Sequence, residues 1–537
     1  MKKLIKFLLC FSLITLFAFT ACFTTKNIEE NNKTQGGQVE VKTEEETPFE
    51  DIKKNTLQKE EIVIDSQKKS VEENTSLPEK TEDFTQKSLK PIENKEPVQV
   101  KNAVKNTESR FSRKQFLETL QNTLENSSID EAIKLFDTLP QNEKRSFDLQ
   151  KIKASLLLSA TRYDEAEKLI ERLKKFSPDD NDLREFSAVI AKSKGDKKGR
   201  TEELEAILKT DPKNSLANEE LAKDCLLSKN YAGAKQYFSV VLESEAENED
   251  ALLGYGRACY FLEEDKDARE YFEHVLEINK NNDGAWYYLA KLENINREYK
   301  KACECLEKAL AINSENYDYL LDYGMNLRYV GKWAMAEEAW SKAIELEPEY
   351  FLAYVFRAGL YDEEEKLEQA LMDYRKVIKL NPSYTQAYEC IGIIDIHLKK
   401  YNEAGNMFLK MHSIDKKNIS YPLLITYCFH MTGDHQMAKK FSDKVLPGLD
   451  KSSIEYQMLR CYHDLSGEQN LQRKISSINK LSDRSKMYFY LGLFYDMVNA
   501  PGAAQSYYER VIELNDQINF EYRLAVWRSQ EILDLEK

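Results

Sequence analysis

The sequence predicts an all-α protein in which a long solenoid of stacked helix pairs follows a disordered tether. Three ladders with a 34-residue step carry that reading. The first runs Ala132, Ala166, Arg200, Ala234, Ala268, Ala302, Ala336, Ala370, Ala404 and Ala438. The second lies twelve residues earlier in each unit: Ala154, Ala188, Ala222, Gly256, Ala290, Gly324, Ala358 and Gly392, with Leu120 and Thr426 departing at its ends. The third lies twelve residues later and contains Pro178, Pro212, Pro348 and Pro382. Only 18 Gly and 12 Pro in 537 residues suits helices joined by short, uniform turns.

Residues 1–21, MKKLIKFLLCFSLITLFAFTA, hold three lysines, an apolar stretch and then small residues, the pattern of a secretory signal. The signal runs into Cys22, and FTAC resembles the processing box of bacterial lipoproteins, with Phe19 where leucine is usual and a fitting Ala21. The resemblance implies acylation of Cys22. Leu9 before Cys10 is too bulky for that position to serve instead. Residues 22–110 follow as lipidated cysteine and tether. From residue 23 this segment has 15 basic and 19 acidic residues but only three aromatics, too little apolar surface to fold. As a flexible coil of 88 residues it reaches roughly 50 Å.

From residue 111 the apolar residues recur at helical spacing, as in Trp286, Leu289 and Ala290, then Ala302, Leu306 and Ala309. Each unit is therefore an antiparallel pair of short helices, A and B. Ala or Gly stands where the two backbones cross, because a larger side chain would hold them apart. Phe238, Phe272, Trp340 and Tyr374 fill the space beside the crossings. Proline ends helix B, since it lacks an amide hydrogen and disfavours helix in the residue before it.

This pattern resembles the tetratricopeptide repeat. Leu320, Tyr323, Gly324, Leu327, Ala336, Trp340, Ala343 and Pro348 match one full unit, and Tyr488, Leu491, Gly492, Tyr495, Ala504, Tyr508 and Val511 match another. The resemblance covers nearly all of 111–537. It implies about twelve repeats over 111–518, a right-handed superhelix, and a concave wall made by the A helices. The first and third units are degenerate, and the register slips by two residues between about 450 and 485, which shortens one repeat. Residues 519–537 are expected to form a capping helix whose charged face closes the open end.

The chemistry-bearing residues do not assemble into a catalytic set. Cys225 and Cys259 hold equivalent places in successive repeats, too far apart for a routine disulfide, and the seven cysteines beyond Cys22 read as inert thiols. His430 and His435 flank the turn HMTGDH with Asp434, but no recognised metal pattern accompanies them. Within 111–537 the glycines stand singly, so no phosphate loop exists there. The run DEEEK at 362–366 is a solvated turn. A formal charge of −15, of which −14 falls in 111–537, argues against nucleic acid. The reading is a protein without enzymatic activity, cofactor or metal.

What remains is the wall. The inward positions implied by the family fall on Tyr287, Lys291, Leu321, Met325, Arg328, Tyr329, Val355, Phe356, Ile393, Leu423, Tyr427 and Met431, with acidic Asp318, Asp322 and Glu389 among them. Such a groove suits a helix or an extended peptide, although several of these positions also pack between repeats. The cationic clamp that grips chaperone tails in some relatives is missing: its positions hold Leu253 and Arg257, Tyr287 and Lys291, Leu321 and Met325, Val355 and Gly359. The expected function is a lipid-anchored scaffold of the bacterial cell envelope, facing the periplasm or the exterior, with another envelope protein or peptide segment as partner. The alternative is a module that binds an envelope polysaccharide or the cargo of a transport complex.

Overall fold

The computed structural model describes residues 111–535, so the signal peptide, Cys22 and the tether lie outside the described residues. Two compact units follow one another, the first running to Lys280 and the second starting at Asn281. The first holds α1 (Arg113–Asn126), α2 (Ile129–Leu135), α3 (Phe147–Ser159), α4 (Tyr163–Lys174) and α5 (Asn181–Ser193). It continues with α6 (Lys197–Thr210), α7 (Ser215–Leu227), α8 (Tyr231–Ser244), α9 (Glu249–Phe261) and α10 (Asp265–Ile278). The second opens with α11 (Asp283–Ile295), α12 (Tyr299–Ile312), α13 (Tyr317–Tyr329), α14 (Trp333–Leu346) and α15 (Phe351–Glu363). Next come α16 (Leu367–Leu380), α17 (Thr385–His397), α18 (Tyr401–Ile414), α19 (Ser420–Met431) and α20 (His435–Val445). It ends with α21 (Ile454–Asp464), α22 (Leu471–Ser476), α23 (Leu481–Met497), α24 (Pro501–Leu514) and α25 (Phe520–Leu535). The α-solenoid is thus twelve hairpins and a last helix, with no strand among the described residues.

Each hairpin is built by the same local devices. Asp180, Asn214, Asn248, Asn282 and Asn316 stand 34 residues apart, and each side chain accepts a hydrogen bond from an amide in the first turn of its A helix. The turn from A to B needs one left-handed residue. Thr161, Lys229, Glu263, Arg297, Glu365 and Lys399 adopt φ of 55–62° there, and Gly195, Gly331 and Gly433 take 70–80°. One turn geometry repeated at one step sets the A-to-B turns along one edge of each unit, and the B-to-A turns along the other.

The small-residue ladders are the helix crossings. Every alanine of the first ladder is fully buried. Arg200, its exception, is held by Glu220 and Asp224. At Gly324 an added methyl would lie 2.4 Å from the Trp340 indole nitrogen, whereas alanine suffices at Ala188 and Ala290, where the residue sixteen further on is Leu204 or Leu306. Thr426 departs from the ladder because Ser442, sixteen residues on, faces it across a buried hydroxyl pair at 3.2 Å.

The shortened repeat is where the register slip places it. α21 has 11 residues and α22 only six, separated by left-handed Leu465 and Gly467. Because so little helix is inserted, the 17-residue α23 packs on α19 as well as α21.

Candidate functional site: the inner wall of the repeats

The predicted wall residues divide into a half-open group and a covered group. Tyr287 and Lys291 on α11, Met325 and Arg328 on α13, and Val355 and Phe356 on α15 are half-buried, while Tyr329 is 39% exposed. Leu321 belongs to the core: its carbonyl accepts the Trp340 indole N–H at 3.1 Å. Lys291 bridges the wall, 2.7 Å from Asp322 and over the Tyr287 ring, which itself lies 4.7 Å from the Tyr319 ring. Burial raises the Tyr287 hydroxyl well above its usual range. Asp318 is lifted to about 6, chiefly by desolvation and then by neighbouring Asp322. Arg328 spans to the next repeat through Glu363 at 3.0 Å.

Ile393, Leu423 and Tyr427 do not form an open wall, which corrects the sequence reading. Ile393 is 6% exposed, and Leu423 and Tyr427 are completely buried; Met431, at the end of α19, is half-buried. The cover is the end of the chain itself. α25 stacks on α24 and α23 as the next A helix would, but its inner side also returns to α15, α17 and α19. Arg523 donates to both carboxylate oxygens of Asp362 at 2.8 Å and to the Asp362 carbonyl at 3.1 Å. The Trp527 ring lies 4.2 Å from His397, Arg523 sits 4.1 Å over it, and its N–H reaches Glu365 at 3.4 Å. Glu531 meets His397 at 3.3 Å, and buried Glu521 accepts from Ser420 at 2.7 Å and Tyr490 at 3.0 Å. The expected end cap is therefore also a closure of the inner wall, with Glu521, Arg523 and Glu531 bound to the protein's own repeats.

Sequence reasoning missed the wall of the first unit. Lys151, Glu185 and Glu219 stand in equivalent positions 34 residues apart, so the same ladder that found the crossings would have found them. Lys151 is 3.0 Å from Asp180, and Lys223 lies 2.7 Å from Glu219 and 3.3 Å from Asp250. Glu185 has no such cation of its own, and desolvation, with Asp182 beside it, pushes it up to about 7. Its folded pKa is raised above the unfolded one, so the folded state carries a penalty above pH 7 that is relieved as pH falls from 7 towards 4.5. We expect Glu185→Gln to stabilise the chain at pH 8 by about 1–2 kcal/mol, a shift of this size discounted for partial exposure, and to do nothing at pH 4.5. Urea midpoints at the two pH values test this, and an equal gain at both would contradict it.

The remaining candidates are accounted for by packing. No disulfide joins the described cysteines, and burial pushes Cys303 up to about 11 and Cys259, Cys390 and Cys461 up to about 12. Cys259, Glu264 and Asp267 come together at metal-like spacing, but Lys235 already sits on Glu264 and lies 3.9 Å from Asp267. His430 and His435 do meet, with Nδ1 atoms 2.8 Å apart, while Asp434 instead caps α20 by accepting from the Met437 amide at 3.0 Å.

Comparison with known proteins agrees with the repeat reading. Family models described as "Tetratricopeptide repeat" match residues 226–293 and 352–384. Among curated proteins, the "Probable UDP-N-acetylglucosamine--peptide N-acetylglucosaminyltransferase SPINDLY" of Solanum lycopersicum is 32% identical over 80 residues, 15% of this chain and 9% of that protein. "Hsp70-Hsp90 organizing protein 3" of Arabidopsis thaliana is 33% identical over 87 residues, 16% of each. The chain thus spans no more than about a sixth of either relative's length. Solved structures with similar folds include "YrrB: a TPR protein with an unusual peptide-binding site" (20% identity, TM-score 0.30, 35% of this chain and 96% of that one). Another is "PilW, widely conserved type IV pilus biogenesis factor" (17% identity, TM-score 0.35, 39% of this chain and 98% of that one).

Proposed function

This chain is a tetratricopeptide-repeat protein, and we propose that it is an envelope lipoprotein that holds another protein or peptide against the inner wall of α11, α13 and α15. The observation that carries the reading is the division of that wall. The contacts of α25 described above fall on α15, α17 and α19, and the stretch from α11 to α15 presents half-buried Tyr287, Met325, Val355 and Phe356 between charges of both signs. Aromatic and thioether groups give a helix or extended segment adaptable apolar contact, and Lys291, Asp318 and Asp322 give its polar groups partners. Such a surface positions a bound segment and performs no chemistry on it.

The anchor reading rests on the signal and Cys22. No described helix is long and apolar enough to cross a membrane. Stable attachment takes more than one acyl chain, which a diacylglycerol thioether with an added N-acyl chain supplies. We expect Cys22→Ser to release the protein to the soluble fraction; retention in the membrane after that change counts against the anchor.

The scaffold reading is tested by recovering the protein from detergent extracts, with and without Met325→Glu plus Val355→Glu. A stoichiometric protein partner that falls at least tenfold in the double variant supports it. Binding of purified envelope glycan by the solenoid, with no protein partner recovered, would establish the polysaccharide-binding alternative instead.

A further inference from the structure

We propose that the edge carrying the A-to-B turns of the two repeats α11–α14 is a membrane-contact surface that lies against anionic lipid headgroups. This deepens the anchored reading above, on which it rests. Four apolar side chains stand out of this edge: Ile295 is 52% exposed, Tyr329 39%, Trp333 40% and Met335 41%. The two turns are joined by their rings: Tyr299 of one stacks on Tyr329 of the next at 4.5 Å and 16°. The turns themselves are locked by left-handed Arg297 and Gly331.

Cations surround the rings. Arg297, Lys300, Lys301 and Lys332 are all exposed here, and the single acid, Glu298, lies 3.8 Å from Lys301. The opposite edge differs in kind: NSEN at 313–316 and EPEY at 347–350 hold three acids and no cation. In the acidic turn DEEEK that follows on this edge, three of the four acids are matched by cations, and Glu365 accepts from the Trp527 N–H. Arg523 holds Asp362, Arg328 holds Glu363, and Lys366 lies 3.0 Å from Glu364.

Charge complementarity selects the occupant. Trp and Tyr mixed with Lys and Arg are the residues that settle at a bilayer's polar boundary, where rings enter the headgroup layer and cations meet phosphates. The anchored reading puts 88 residues between Cys22 and the first repeat, a length of chain that leaves the solenoid within reach of the bilayer. With one edge cationic and aromatic and the other acidic, contact is possible in one orientation only, and the inner wall then opens sideways to the bilayer rather than onto it.

The test uses the chain from residue 22 onward carrying Cys22→Ser, so that no acyl chain contributes. It is mixed with vesicles of phosphatidylcholine alone or with a third phosphatidylglycerol. We expect sedimentation with the anionic vesicles only, weakening as salt is raised, and a blue shift of tryptophan emission with protection from iodide. Trp333 is the reporter: Trp340 and Trp527 are buried, Trp286 is half-buried under Lys308 in the first turn of α11, towards the opposite edge, and Trp333→Phe should abolish the spectral change while sparing sedimentation. Lys300→Glu with Lys301→Glu, both on exposed positions, should cut binding at least tenfold with an unchanged circular dichroism melt. Indifference to anionic vesicles, or undiminished binding by the lysine variant, overturns the proposal and leaves the edge to a protein partner. The acyl anchor is judged separately by Cys22→Ser fractionation, so either idea can fail alone.

Discussion

Gly324→Val should lower the stability of the second unit by about 2–6 kcal/mol. The new side chain begins 2.4 Å from the Trp340 indole nitrogen, and Trp340 is itself buried, 1% exposed. Overpacking of this kind costs about 1–3 kcal/mol. Displacing the ring also breaks its N–H bond to the Leu321 carbonyl, and stranding a buried donor adds about 1–3 kcal/mol. The defect spreads only through nearest-neighbour contacts, so the first unit should keep its own transition. A milder pair, Gly324→Ala with Trp340→Leu, copies the Ala290 and Leu306 crossing found one repeat earlier and should recover much of the loss. Urea unfolding followed by circular dichroism decides this. An unmoved midpoint in Gly324→Val would remove the crossing from the account of why these ladders exist.

That crossing explains how much of the molecule could be read in advance. Features repeated every 34 residues were legible because each is forced by one local contact: a methyl-sized gap, a ring beside it, a proline that ends a helix. The caps at Asp180, Asn214, Asn248, Asn282 and Asn316 were equally periodic and equally readable, yet polar ladders draw less notice than apolar ones. The same is true of Lys151, Glu185 and Glu219. The fate of Ile393, Leu423 and Tyr427 was not legible, because it depends on one aperiodic event. Inserting only 11- and six-residue helices at α21 and α22 brings α23 onto α19, and the chain end then meets α15 and α17. No pattern within 34 residues encodes a contact such as Arg523 with Asp362, 161 residues apart. Position in the family pattern says which way a side chain faces; it does not say what else comes to face it.

The second large effect is expected at that closure. Trp527→Ala should cost about 3–5 kcal/mol, the usual range for removing a buried tryptophan. The ring is 8% exposed and sits between Arg523 and His397, so its loss also unseats the guanidinium that grips Asp362. Amide hydrogen exchange should rise in 520–535 and at the ends of α15 and α17, while α11–α14 stay protected. The same variant separates the two parts of the inner wall functionally. If the partner takes the stretch from Tyr287 to Phe356, as proposed, capture from detergent extracts should be unchanged although the closure is loosened. Capture that increases would mean instead that the partner competes with α25 for Ile393, Leu423 and Tyr427, and that the covered wall is the working one.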